Sequence, residues 1–382
     1  MSFLKRFLRV ISSLRFTVFI LLAFMLITIV GTIFQVDNGI NESKKMFFTS
    51  WVIFYKNFPV FPGGQLVLWA FFLNLLTATF TRFGFKLNKL GIWFAHLGLI
   101  ILCFSSFYTY SLSEEAVIHF KEGETRSVAD KEAWELSVIL EDDNEKREVA
   151  FSEHLLGSRK VYNLKDYFPE LSKDVPLKVE HYYKNADVKQ DFGIGSKYLS
   201  ASEIVDLKEL PENLKGNNVP GTILGVSAGK KEEGIVLYGL EKSPVVFTVG
   251  KYELKFQLRR ERLHLPFKLT LKDVSRDLYK GTKVAKNYES IVILDEDDIQ
   301  REVRIYMNHP LSYDSFTVYQ TSYMQDNNGN EYSTLTVVRN PVKYLPYIAC
   351  IITALGMLLH YFIFPVFMKL SLMKRRKRSD HV

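Results

Sequence analysis

Residues 90–113 read LGIWFAHLGLIILCFSSFYTYSLS, 24 consecutive residues without a charge. Coiled at about 1.5 Å per residue, they make a helix of about 36 Å, longer than a hydrocarbon layer of about 30 Å is thick. Three other stretches share the property: Phe16 to Val36, Asn57 to Thr81 and Tyr344 to Met368, of 21, 25 and 25 residues. The second contains Pro59, Pro62, Gly63 and Gly64 in its first half, which break helix and predict a turn. A helix over 65–83, about 28 Å long, still remains to cross. The expected fold is therefore a membrane protein with spans at about 16–36, 65–83, 90–110 and 344–368, three N-terminal and one C-terminal.

Between the third and fourth spans lies a block, 111–340, with 32 Lys/Arg and 39 Asp/Glu. The whole chain of 382 residues carries +7, so the basic surplus belongs to the membrane part and gives no ground for a nucleic-acid partner. Lys5, Arg6, Arg9 and Arg15 precede the first span. Arg82, Lys86 and Lys89 separate the second from the third, and Lys369 with the run Lys374–Arg378 follows the fourth. The positive-inside rule then makes 1–15 and 369–382 cytoplasmic and 111–340 extracytoplasmic. The expected location is the bacterial cytoplasmic membrane, with a plastid membrane left open by topology alone. The first span follows basic residues as a signal peptide would. It exceeds the length of an h-region, however, and no small-residue cleavage site follows Gln35, so it reads as a retained anchor.

Cys103 and Cys350 are the only cysteines, and both fall within spans as small packing residues. The polar block has none, so no disulfide holds it and it carries no C-x-x-C pair. Period-two alternation marks strands at Ala116–Phe120, Trp134–Leu140, Val245–Leu258, Phe267–Val274, Ser290–Leu294, Glu302–Met307, Ser315–Tyr319 and Ser333–Val338. Eight strands predict a large β-rich sandwich or barrel-like domain. Ser152 to Lys231 is less periodic, with Pro211, Gly216 and Pro220, and reads as an insertion or separate subdomain.

Two of the eight histidines lie within spans. His96 is seven residues past Lys89 and His360 nine before Lys369, at depths of about 10 and 13 Å from the same face. Ionisable groups at such depth are costly and are functional candidates by default. Two imidazoles at one level can ligate a haem iron together, or one can do so with a histidine from a partner subunit. Each also has a packing reading: a hydrogen bond across helices for His96, and an interfacial position for His360 if the helix ends near Pro365. Asn74, eight residues before Arg82, reads as interhelical glue. His119, His154, His181, His264 and His309 lack metal-ligand spacing. No H-E-x-x-H, G-x-S-x-G, Walker A or Cys/His zinc pattern occurs, so hydrolase, ATPase and zinc-site classes lack support.

Several stretches resemble the ResB (CcsB) family of System II cytochrome c biogenesis proteins. They are SLRFTVFILLAFMLITIVGTIFQ over Ser13–Gln35, AHLGLIIL in the third span, LPFKLTLKDV over Leu265–Val274, YMNHPLSYDSFTVYQTSY over Tyr306–Tyr323 and VVRNP over Val337–Pro341. The resemblance covers both ends and the C-terminal third, and residues 141–250 carry no matching motif. It implies a non-catalytic subunit that pairs with a ResC (CcsA) protein to move haem across the membrane. Such a pair presents the haem for thioether attachment to apocytochrome c. A tryptophan-rich haem-handling motif belongs to the partner and is absent here. By the same resemblance His96 matches an axial ligand of a membrane-bound haem, the opposite ligand coming from the partner.

The matched stretch from Asn308 also has a reading of its own. Asn308, His309 and Pro310 form a turn between strands, and Tyr319, Gln320 and Tyr323 follow. Together they make either a surface where apocytochrome or partner docks or a structural turn that sets the domain onto the last helix. Two alternatives to the family role stay open on the residues. One is a self-contained b-type haem protein for electron transfer that uses His96 and His360. The other is a cofactor-free exported sensor or anchor.

Overall fold

The computed structural model describes residues 2–369 apart from 85, 87–88, 143–145, 159, 191–197, 212–217, 230, 283 and 297–298. The chain divides into two compact units, Met1–Ser113 with Asn340–Val382 and Glu114–Arg339. The basic run Lys374–Arg378 lies outside the described residues.

The first unit holds four helices long and apolar enough to cross a membrane: Leu14–Asn38, Gly64–Arg82, Leu90–Leu112 and Leu345–Lys369. Three precede and one follows the strand-rich unit, the architecture the uncharged stretches predict. A short helix, α1 (Ser2–Ile11), comes before the first span. Ser13 separates the two, its side chain accepting a hydrogen bond from Phe16 N at 3.2 Å and so capping the span. The span ends at Gly39, whose φ of 84° stops the helix.

Residues 57–64 are not the simple turn their prolines and glycines predict. Strands β1 (Val52–Tyr55) and β2 (Phe58–Pro62) pair as an antiparallel hairpin. Its two turn residues, Lys56 and Asn57, both have positive φ, 47° and 66°, the requirement of a tight primed turn. The prolines sit in the short edge strand where no ladder needs their missing N–H. Gly63 and Gly64 then start the second span against the backbone of Ser50 and Phe48, where a Cβ has no room.

The fourth span does not end near Pro365. It widens into a π turn over Leu359–Ile363 and continues to Lys369. Pro365 offers no N–H to the carbonyl four residues earlier, and its ring crowds that carbonyl. The wider turn relieves both, with Phe364 N–H bonding Leu359 O instead.

In the second unit two long strands form a spine: β3 (Thr125–Glu141) and β4 (Tyr252–Leu278), paired antiparallel from Glu253–Glu141 to Thr270–Thr125. They run through two hydrophobic cores. The first is built on Leu136, Val138, Leu254 and Phe256 of the spine, with Phe151, Phe168, Leu224 and Ile235 from later elements. The second takes Leu269 and Leu271 from the far end of the spine with Ile118, Val292, Val318 and Leu335. A 27-residue strand would be too stiff and flat without breaks; register shifts at Arg260/Arg262 and His264/Leu269 bend the spine between the cores.

Among its described residues the stretch 152–231 forms several strands, and part of it packs into the first core. Strands Pro176–Tyr183, Gly221–Ala228 and Lys231–Tyr238 form a sheet whose inner residues Leu177, Leu224 and Ile235 close the first core. Gly216, one of its expected turn residues, lies outside the described residues. In the second core the ten-stranded sheet curls until strand β5 (Ala285–Glu296) meets β6 (Phe316–Gln325) and β7 (Glu331–Arg339). Ser290 Oγ lies 2.7 Å from both Gln320 Oε1 and Ser333 Oγ. Glu114 and Arg339, the first and last residues of the unit, are register partners and an ion pair at 3.0 Å.

Candidate functional site

The third and fourth spans lie close because each presents small residues at one-turn and two-turn spacing. Gly91, Ala95 and Gly98 face Ala349, Thr353 and Gly356. A Cβ on Gly91 would stand 2.6 Å from His360 N, and one on Gly98 would stand 2.7 Å from Ala349 O. Without a hydrophobic drive between helices in lipid, close backbone approach of this kind supplies the packing.

At about 100° per residue, His96 points about 140° round the helix from Gly91, away from the fourth span. Its neighbours are on the second span. Thr79 Oγ1 is 3.1 Å from His96 Nδ1, and the ring of Phe83 meets the imidazole edge-on at 4.9 Å between centroids. Trp93, one turn before His96, packs likewise edge-on against Phe80 at 5.7 Å. The third span thus works with two faces, small residues toward the fourth span and a histidine with aromatic neighbours toward the second.

Thr79 Oγ1 is also 2.7 Å from Leu75 O. A hydroxyl has one proton, and with that proton on Leu75 O the oxygen accepts from Nδ1–H of the imidazole. In that arrangement the neutral ring carries its lone pair on Nε2, the nitrogen away from Thr79. A metal-ligating histidine is commonly fixed in this way, by a hydrogen bond at its other nitrogen. Among the described residues no group of three or more His, Cys, Asp or Glu could hold a metal ion. A haem iron, already held by four porphyrin nitrogens, needs only one or two ligands from protein, and half-buried His96, whose Nε2 makes no hydrogen bond among the described residues, fits that requirement.

His360 stands in the π turn, its backbone against Gly91 and its ring edge-on to Tyr361 at 4.9 Å. Its Nδ1 is buried and makes no hydrogen bond among the described residues. Comparable depth therefore does not bring the two histidines onto facing surfaces. Asn74 is interhelical glue as expected: it accepts from Thr17 Oγ1 at 2.9 Å and donates to Ile11 O at 2.6 Å.

The six residues of the matched stretch divide. Asn308, with φ of 64°, His309 and Pro310 form an exposed turn in which His309 stacks on Tyr306 at 4.0 Å. Tyr319 is exposed, and extending the register Leu311–Val318 by one step brings it opposite Pro310. Gln320 is tied to Ser290 and Ser333 inside the curled sheet, and Tyr323 donates to Glu331 Oε1 at 2.6 Å beneath the Arg276 guanidinium. Gln320 and Tyr323 hold the fold, while Asn308, His309, Pro310 and Tyr319 present surface.

Thr79 and Phe83 are the site residues that sequence reading missed. Thr79 sits three residues before Arg82, within reach of the depth matching that singled out Asn74.

Fold and site together define a class: a multi-pass membrane protein with a strand-rich unit inserted before its last span and an oriented histidine among its helices. Residues 85–330, nearly two thirds of the chain, match the ResB-like family, and the chain belongs to this family of System II cytochrome c biogenesis proteins. Protein NrfI of Wolinella succinogenes is 24% identical over 265 residues, which cover 69% of this chain and 26% of that protein. The chain therefore spans about a quarter of that relative's length.

Proposed function

We propose that the chain is a subunit of a cytochrome c synthase complex. With a ResC/CcsA-type membrane partner it moves haem across the membrane and presents apocytochrome c for haem attachment. Both termini are cytoplasmic and Glu114–Arg339 is extracytoplasmic, as the distribution of Lys and Arg around the spans supports. The observation that carries the reading is His96: a histidine inside a membrane helix within the matched segment, with Nδ1 beside Thr79 Oγ1, an arrangement that suits Nε2 as a ligand.

In this reading His96 Nε2 would ligate the iron of a bound haem, and the partner would supply a further ligand. Thr79 holds the tautomer and Phe83 limits ring rotation. Trp93 and Phe80 offer apolar aromatic surface to a flat macrocycle and exclude water from the ligand. The extracytoplasmic unit acts as scaffold for the apocytochrome, with the turn at Asn308–Pro310 and Tyr319 as the docking candidates. The self-contained reading, with His360 as second ligand in the same chain, is weakened because His96 points away from the fourth span.

A strain lacking this chain is expected to lose covalently bound c-type haem on peroxidase-stained gels and to regain it with a plasmid copy. Unchanged c-type haem in the deletion would reject the proposal in favour of a sensor or anchor.

A further inference from the structure

Helix α1 sorts its residues sharply. At about 100° per residue, Phe7, Leu8, Val10 and Ile11 occupy one arc of about 160°, and Lys5, Arg6 and Arg9 lie within the opposite arc. Phe7 and Val10 are exposed, whereas Leu8 and Ile11 are half-buried, so the helix rests one edge of its apolar face on the bundle and keeps the other at the surface. Its C-terminal end is anchored. Asn74 of the second span donates to Ile11 O at 2.6 Å, and Ser12 and Ser13 break the helix before the first span begins. A helix pinned at the mouth of a span and apolar along one side has its open face at the level of acyl chains and headgroups.

Charge identifies what covers it. No acidic residue precedes Asp37 anywhere in the chain, so neither α1 nor the first span offers a carboxylate to Lys5, Arg6 or Arg9. Arg15, Arg82, Lys86 and Lys89 add four further cations at span ends of the same sign, also with no acid between Glu42 and Glu114. Cations with no ion pair among the described residues, beside an exposed apolar face, match a surface that is negative outside and apolar inside. We propose that α1 lies in the headgroup region of its leaflet and binds anionic phospholipid through Lys5, Arg6 and Arg9, with Phe7 and Val10 inserted among the acyl chains. Three cations near such a surface favour the seated position by on the order of a hundredfold.

The test uses the full-length protein in nanodiscs of phosphatidylcholine alone or of phosphatidylcholine mixed equally with phosphatidylglycerol. A nitroxide is placed at Val10→Cys or at Arg9→Cys, in a Cys350→Ala background, and its access to oxygen and to a water-soluble nickel chelate is measured. With phosphatidylglycerol the probe at position 10 is expected to be shielded from nickel and open to oxygen, and the probe at position 9 the reverse. On phosphatidylcholine alone, and in a Lys5→Gln/Arg6→Gln variant of unchanged melting temperature, the shielding at position 10 should fall several-fold. Equal shielding on both lipids would overturn recognition of anionic headgroups, and free access of nickel to both positions would overturn the interfacial position itself.

Discussion

Thr79 Oγ1 lies 3.1 Å from His96 Nδ1, and the same oxygen gives its proton to Leu75 O at 2.7 Å. With the hydroxyl proton on that carbonyl, the oxygen accepts from Nδ1–H and leaves the imidazole lone pair on Nε2. Thr79→Val keeps the shape and removes the acceptor. In the complex with its partner it is expected to weaken haem retention about 10- to 100-fold, while Thr79→Ser retains it. Haem per complex after detergent washing is the measurement; equal retention in Thr79→Val and wild type would dismiss the hydroxyl's role.

The third and fourth spans depend on absent side chains. Gly98→Leu drives a branched side chain into Ala349 O and Thr353, where no flexible neighbour can yield. Overpacking of this kind costs about 1–3 kcal/mol, occasionally more. Melting in detergent should come several degrees earlier for Gly98→Leu, and Gly84→Leu, where a Cβ meets nothing, should leave it unchanged.

Glu135 is buried and paired with Arg259 at 2.9 Å, and Arg259 also holds Glu148, which accepts from Ser137 at 2.7 Å. Burial pushes the Glu135 carboxyl above its ordinary value, with the guanidinium opposing. Arg259→Met would strand that carboxylate and is expected to cost about 3–5 kcal/mol. Adding Glu135→Gln should recover part of the loss. Chemical denaturation of the three proteins reads this directly, and a double variant no better than the single would show that packing, not charge, is at stake.

Acid should open the strand-rich unit at its ends. The Glu114 carboxyl is held below its ordinary value, first by the hydrogen bond from Lys131 at 2.7 Å and then by Arg339. A lowered folded pKa makes stability that is present above the ordinary value of 4.5 and lost as pH falls through the folded value. Glu135 has the opposite sign, losing its contribution as pH rises from the ordinary to the raised value. Glu114→Gln is therefore expected to flatten the decline of melting temperature below about pH 4.5 while lowering stability at neutral pH. An unaltered acid limb would contradict it.

Gln320 and Tyr319 are adjacent but are predicted to behave differently. Gln320→Ala leaves the buried hydroxyls of Ser290 and Ser333 short of a partner and should cost about 1–3 kcal/mol. Tyr319→Ala and His309→Ala should leave melting unchanged and reduce apocytochrome capture if their surface is the docking site. Normal capture by both would return the turn at Asn308 to a structural role.

Much of this was legible in the sequence because it depends on simple periods. Uncharged length showed the four spans, and strict alternation showed strands such as Ala116–Phe120 and Ser333–Val338. The strand Gly221–Ala228 escaped because it lies between two others and is buried on both faces, so its polar residues do not alternate. The hairpin before the second span escaped because its prolines outweighed the positive-φ turn at Lys56 and Asn57. His96 was visible as an ionisable group in an apolar run. Its partner Thr79 was not, since a threonine in a spanning helix looks like any other small residue until the fold sets it beside an imidazole. Depth matched His96 with His360, but depth carries no angle, and the glycine stripe turns the two toward different neighbours.

The most direct measurement is the reduced-minus-oxidised absorption spectrum of the chain purified with a ResC/CcsA-type subunit, for wild type and His96→Gly with and without imidazole. The account predicts a haem signal in the wild type that is lost in the variant and restored by imidazole. A signal of equal size and position in His96→Gly without imidazole, in an intact complex, would contradict it.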